Sequence, residues 1–136
     1  GSYSDGGNPK AATYVGSDLS KWKTTALTSL AHTFNEAAAM NSDLSGWNVA
    51  KVTTLSSTFS SASKFTGAGL PTWNIASVTQ MGDAFTSATS ITSCSKRQIA
   101  DAWKSNSAFA TWDTAWAADA CPPLTDATFK QASWGT

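Results

Sequence analysis

Asp43-Leu44-Ser45-Gly46-Trp47-Asn48-Val49-Ala50-Lys51-Val52-Thr53-Thr54-Leu55-Ser56-Ser57-Thr58-Phe59 has two near-copies in the same chain. One is Asp18 to Phe34; the other is Leu70 to Phe85. Trp22, Trp47 and Trp73 recur at a nearly constant step, and each is followed at one fixed offset by Phe34, Phe59 or Phe85. Working outward from each Trp, the same columns recur. Leu19, Leu44 and Leu70 lie on its N-terminal side, and Leu27, Val52 and Val78 a short way after it. Leu30, Leu55 and Met81 form the next column, and Met40, Phe65 and Ile91 the last. Self-similarity at a period of about 25 residues predicts a stacked repeat architecture, in which one repeat cannot bury its apolar face alone. Thr24 replaces Val49 and Ile75 in the first repeat, which predicts a thinner core at that end.

Within a repeat, the β-branched run around Val52-Thr53-Thr54 predicts a short strand. The Ser/Ala/Thr-rich segments Leu55 to Ala62 and Met81 to Ala88 predict one or two helical or 3₁₀ turns returning the chain. Asp18 and Asp43 start turns, where a carboxylate can take a backbone N–H.

The pattern Leu-Ser-x-Trp-Asn-Val-x-x-Val-Thr-x-Leu/Met-x-x-x-Phe closely resembles the BspA-type leucine-rich repeats of cell-surface proteins in bacteria, protists and algae. Leu44, Trp47, Val52, Thr53, Leu55 and Phe59 carry it, as do Leu70, Trp73, Val78, Thr79, Met81 and Phe85. The resemblance implies an α/β solenoid: a short right-handed leucine-rich-repeat coil of about three repeats, with short parallel strands and a helical C-terminal cap. It implies no single activity, because such repeats serve adhesion, binding and scaffolding.

Four segments follow. Residues 1–17 are rich in Gly, Ser, Asn and Pro, and read as a flexible lead-in or as an N-terminal cap. Residues 18–93 are the three repeats. Residues 94–121 change character. Ser95-Lys96-Arg97-Gln98 reads as a capping box opening a helix, with Ile99 and Trp103 on one face. Trp112 and Trp116 follow at the same spacing, so two short aromatic helices form the cap. The segment from Cys94 to Trp103 also resembles the one after the last repeat in algal and marine members of that family. Residues 122–136 open on Pro122-Pro123 and continue as a helix capped by Thr125, with Leu124 and Phe129 at staple spacing. A helix so short is marginal unless it docks on something.

Composition narrows the function. Net charge is +0 and only 13% of residues are charged, against about 25% in an ordinary soluble domain. Nothing here steers the chain to nucleic acid or to an anionic membrane. Apolar runs are too short to insert in a bilayer. Ser and Thr make up roughly three residues in ten, which suits an extracellular or cell-surface location and O-linked sugars. No Asn opens an N-glycosylation site. The sequence has no initiating Met and no signal peptide, and Gly1-Ser2 reads as a cloning scar or as the start of a piece cut from something longer. Cys94 and Cys121 read as a disulfide closing a loop of about 27 residues, with a buried thiol pair as the alternative. Two Cys and the single His32 do not make a metal set.

No cofactor is expected, and no catalytic set emerges. His32 falls opposite Ser57 in a polar column, with no second His and no reactive Cys near it in the sequence. Asp18 and Asp43 lack the oxygen-rich loop a calcium site needs. Trp22, Trp47 and Trp73 read as core rather than as sugar platforms. The Thr28, Thr53 and Thr79 column is narrow for an ice-binding array. The two ends of the chain carry the functional expectation. In proteins of this resemblance, a Pro-rich break, a Leu-Thr-x-x-x-Phe helix and an Asn-Pro-x-Ala loop lead into the next repeat. Here the tail has the first half of that junction and the head has the second. The chain therefore reads as a structural extracellular unit of a surface fibre or adhesin, not an enzyme, its partner being itself, head to tail or in tandem. Tyr3, Tyr14, Leu124, Phe129 and Trp134 are the candidate inter-unit contacts. The alternative is a monomeric adhesin or receptor module that binds protein or glycan.

Overall fold

The computed structural model describes residues 19–122. Three turn-built repeats stack on one another, and two helices, α1 (Ser93–Trp103) and α2 (Ala110–Ala115), close the far end. Short 3₁₀ helices lie at Leu19–Lys21, Leu70–Thr72 and Ser107–Phe109.

The predicted α/β solenoid of parallel strands does not form. Among the described residues there is no strand and no sheet. The strand expected at Val52-Thr53-Thr54 shrinks to two isolated parallel bridges, Ser29 with Thr54 and Thr54 with Gln80. The helical turns expected at Leu55 to Ala62 and Met81 to Ala88 are plain turns. One backbone feature explains the loss of the helical turns. His32, Ser57 and Asp83 have φ of 59°, 55° and 56°, and Glu36, Ser61 and Ser87 have 63°, 58° and 60°. Two left-handed residues four positions apart in each of these segments are incompatible with a right-handed helix.

Backbone hydrogen bonds still join the repeats. Leu30, His32, Phe34 and Glu36 donate their N–H groups to the carbonyls of Thr54, Ser56, Thr58 and Ser60, at 3.1, 3.0, 2.9 and 2.8 Å. Leu55, Ser57, Phe59 and Ser61 repeat this one level on, to Gln80, Gly82, Ala84 and Thr86 at 2.8, 2.8, 2.9 and 2.7 Å. Between these bonds the chain closes tight turns on itself, as Thr33 N–H to Leu30 O and Ala37 N–H to Phe34 O. Alternate residues thus bond outward to the next repeat while the chain keeps turning.

The core is the set of repeated columns. Leu19, Leu44 and Leu70 are buried, as are Phe34, Phe59 and Phe85, and Met40, Phe65 and Ile91. Phe59 stacks between Phe34 and Phe85, with centroids 5.8 and 5.7 Å away. Leu30, Leu55, Met81, Val52 and Val78 are buried too, whereas Leu27 is only partly covered. Thr24 explains its own substitution: it is buried, and its Oγ1 accepts the Asn48 N–H at 2.9 Å.

Helix α1 begins earlier than its predicted capping box. Thr92 is the N-cap, its Oγ1 accepting the Ser95 N–H at 3.2 Å, so Ser95 lies inside the first turn. Buried Ile91 anchors the residue just before that cap.

Gly69 sits between the second and third repeats with φ 91°, and a Cβ there would overlap the Ser45 backbone nitrogen. Gly46 has open space around its would-be Cβ. Gly69→Ala is therefore expected to cost more than about 2 kcal/mol, while Gly46→Ala stays within about 0.5 kcal/mol. Urea unfolding of the two variants measures the contrast.

Candidate functional site

The Trp column sets the geometry of both ends. Trp22, Trp47, Trp73 and Trp103 stack in order, with centroid spacings of 5.9, 6.3 and 6.3 Å and ring planes within 17°, 6° and 19°. The last three rings also make one directed bond each. The indole N–H of Trp47 donates to Leu19 O at 2.9 Å, that of Trp73 to Leu44 O at 2.9 Å, and that of Trp103 to Leu70 O at 3.1 Å. The same carbonyls accept the main-chain N–H groups of Trp22, Trp47 and Trp73 within their own turns. One Leu carbonyl thus holds its own repeat closed and clamps the next Trp over it.

Trp103 is the fourth rung, supplied by α1 rather than by a repeat. The cap completes the imitation of a further repeat. Asn106 donates its side-chain amide to Ile75 O and Val78 O at 2.8 and 3.0 Å. Trp112 donates to Met81 O at 3.0 Å, and Trp116 packs 5.0 Å from Phe85. Phe109 meets Trp103 edge-on. Arg97 bonds Asp101 at 3.0 Å, and the Lys96 ammonium lies over Trp116. The Cys94–Cys121 disulfide ties the first turn of α1 to the end of the cap.

The opposite end has no such cover among the described residues. Trp22 is 41% exposed, a correction to its expected place in the core. One face of its ring is used by Trp47, and among the described residues no carbonyl accepts its indole N–H. Beside it lies a cleft of about 270 Å³ lined by Thr24, Leu27, Leu30 and Trp47. The candidate contacts Tyr3, Tyr14, Leu124, Phe129 and Trp134 lie outside the described residues, as does Asp18.

The remaining candidates have local roles. Asp43 Oδ1 accepts the Ser45 N–H at 2.9 Å, and Asn48 and Asn74 make the same two-residue turn to Ala50 and Ala76. Thr53 and Thr79 spend their hydroxyls on Thr28 O and Thr53 O. His32 is exposed. No group of three or more His, Cys, Asp or Glu capable of holding a metal occurs among the described residues. No helix among them is long and apolar enough to cross a membrane.

Sequence reasoning missed the fourth rung because the step from Trp73 to Trp103 is longer than the repeat period. Its place on one helix face with Ile99 was legible as cap packing, but not as a continuation of the column. The left-handed column was also missed, since Ser57, Asp83 and His32 share no side-chain chemistry.

The sequence profile of a family described as "Mycoplasma protein of unknown function, DUF285" matches residues 9–98, about two thirds of the chain. No curated protein and no solved structure matches it.

Three outcomes test this geometry. Trp73→Phe leaves Leu44 O short of one buried donor and a smaller ring in the column, and is expected to cost about 2–3 kcal/mol. Trp22→Phe loses no bond made among the described residues and is expected to cost under about 1 kcal/mol, both read by thermal unfolding. Cys94→Ser with Cys121→Ser removes a constraint on a loop of about 27 residues and is expected to cost about 3–4 kcal/mol, a loss that reductant on the unmodified protein should reproduce.

Proposed function

We propose that this chain, which belongs to the DUF285 family, is a non-catalytic structural unit that joins copies of itself head to tail at an extracellular surface. The observation that carries the reading is the inequality of the two ends of the Trp column. At one end Trp103 and the cap fill the next rung. At the other, Trp22 keeps an exposed ring and an unused indole donor among the described residues. A contact between unlike ends that does not close on itself gives a filament rather than a ring.

Three features support the location. The disulfide belongs to an oxidising compartment. The charged fraction is 13% and polarity rests on hydroxyls, which suits O-linked sugars on the exposed Ser and Thr. The repeat motif resembles the BspA-type repeats of cell-surface proteins.

A second reading is favoured by the same exposed ring. Trp22 beside Lys23 and Ser29 offers a stacking face with polar neighbours, the composition of a glycan platform on a monomeric adhesin. Sedimentation velocity and negative-stain microscopy separate the two. Head-to-tail joining predicts concentration-dependent growth into long fibres; a single species near 14.2 kDa at all concentrations would sink it.

A further inference from the structure

The geometry points to the backbone edge of the third repeat as a docking site for a basic, small-residue segment of a partner protein. This goes beyond head-to-tail joining and does not depend on it.

The repeats themselves show what such an edge takes. Leu30, His32, Phe34 and Glu36 donate to carbonyls of the second repeat, and Leu55, Ser57, Phe59 and Ser61 to carbonyls of the third. The equivalent donors of the third repeat are the N–H groups of Met81, Asp83, Phe85 and Ser87. None of these meets an acceptor among the described residues. The carbonyl side is open too. Thr28 O accepts the Thr53 N–H at 2.9 Å and Thr53 O the Thr79 N–H at 2.8 Å, but Thr79 O receives no donor among the described residues. The cap does not fill this edge. Each hydrogen bond between cap and repeats among those residues is a donation by the cap, from the Trp103, Asn106 and Trp112 side chains to the carbonyls of Leu70, Ile75, Val78 and Met81. The cap thus replaces the side chains of a further repeat and leaves out its backbone acceptors.

Open N–H groups at alternate positions, with an open carbonyl just before them, form a template that another chain completes. An anion would satisfy the donors but not Thr79 O; a polypeptide backbone satisfies both. Phe85 is covered by Trp112 and Trp116, at 5.5 and 5.0 Å, which leaves Thr79, Met81, Asp83 and Ser87 for a partner. A cleft of about 260 Å³ runs beside them, between Met81, Asp83 and Thr86 on one wall and Ala108, Thr111 and Trp112 on the other.

The cap also selects the occupant. At the lower levels the pairing segment sends Leu55 and Phe59, or Met81 and Phe85, into the core. Above the third repeat that inner space belongs to Trp112 and Trp116. A folded repeat of a second copy would drive its own Leu and Phe into them, whereas a segment with small inner side chains passes. Charge narrows the choice further. Asp83 is exposed. Its carboxylate accepts the Thr86 hydroxyl at 3.1 Å and has no cation beside it among the described residues. A Lys or Arg on the outer side of the segment supplies that cation.

Amide hydrogen exchange, followed by NMR on the full-length protein, tests this. In dilute protein the Met81, Asp83 and Ser87 amides are expected to exchange much faster than those of Leu55, Ser57 and Ser61. The probe is a short peptide repeating Ala-Lys-Gly-Gly, blocked at both ends. It has Ala at the inner positions and Gly where the repeats carry left-handed residues. At saturation it is expected to slow exchange at the edge amides about tenfold, with Leu55 and Ser57 unchanged. The Ala-Glu-Gly-Gly counterpart is expected to have no such effect. Thr111→Trp fills the cleft from an exposed position on α2 and is expected to abolish the response, while retained protection at Leu55 and Ser57 shows that the variant is folded. Edge amides as slow as Ser57 in dilute protein overturn the proposal. So does a basic peptide that leaves them unchanged, or that acts equally on Thr111→Trp, or an acidic peptide that acts as well as the basic one. Protection that rises with protein concentration alone assigns the edge to a second copy and overturns it too.

Discussion

Each buried indole N–H in the column is satisfied by the backbone of the repeat before it. This single bond decides how the repeats stack. A Trp buried to within a few per cent must place its N–H on an acceptor or lose about 1–3 kcal/mol. The Leu carbonyl that receives it is already fixed by a turn in its own repeat. Neither repeat can satisfy that requirement alone, so register and spacing between repeats are set together. Ring stacking between Trp47 and Trp73 at 6.3 Å adds a further increment, and the Phe column beside it follows the same step.

Left-handed residues let the backbone obey this rule without forming a sheet. Strands would place alternate side chains on opposite faces and leave half of each repeat in solvent. The tight turns after His32, Ser57 and Asp83 instead bring Leu, Phe, Ala and Met of one repeat to the same inner side. Inter-repeat N–H groups still meet carbonyls at hydrogen-bonding distance. The result is a stack held by ladder-like bonds with no strand among the described residues.

The period, the core columns and the aromatic cap were legible because large apolar residues recur at fixed phase and nothing else explains that recurrence. The backbone conformation was not legible. Val52-Thr53-Thr54 has strand propensity, but the Val52 N–H closes a turn on Val49 O at its start, and beyond it Ser57 and Ser61 do not advertise a positive φ as glycine would. Trp22 was misplaced for a different reason. Its phase matched the core, yet burial depends on a preceding neighbour, and phase alone says nothing about whether one is there. Helix α1 was placed but its start was not, because Thr92 and Ser95 are equally good caps by composition, and only the packing of Ile91 separates them.

The disulfide also determines how the molecule carries load. Cys94 and Cys121 are covalently joined, so tension running along the chain enters at Ser93, crosses the sulfur bridge and leaves at Pro122. Residues 95–120 lie in a shunted loop and feel none of it. Trp103, Asn106, Trp112 and Trp116 are all in that loop. The cap would thus stay seated on the third repeat while the chain outside it is pulled.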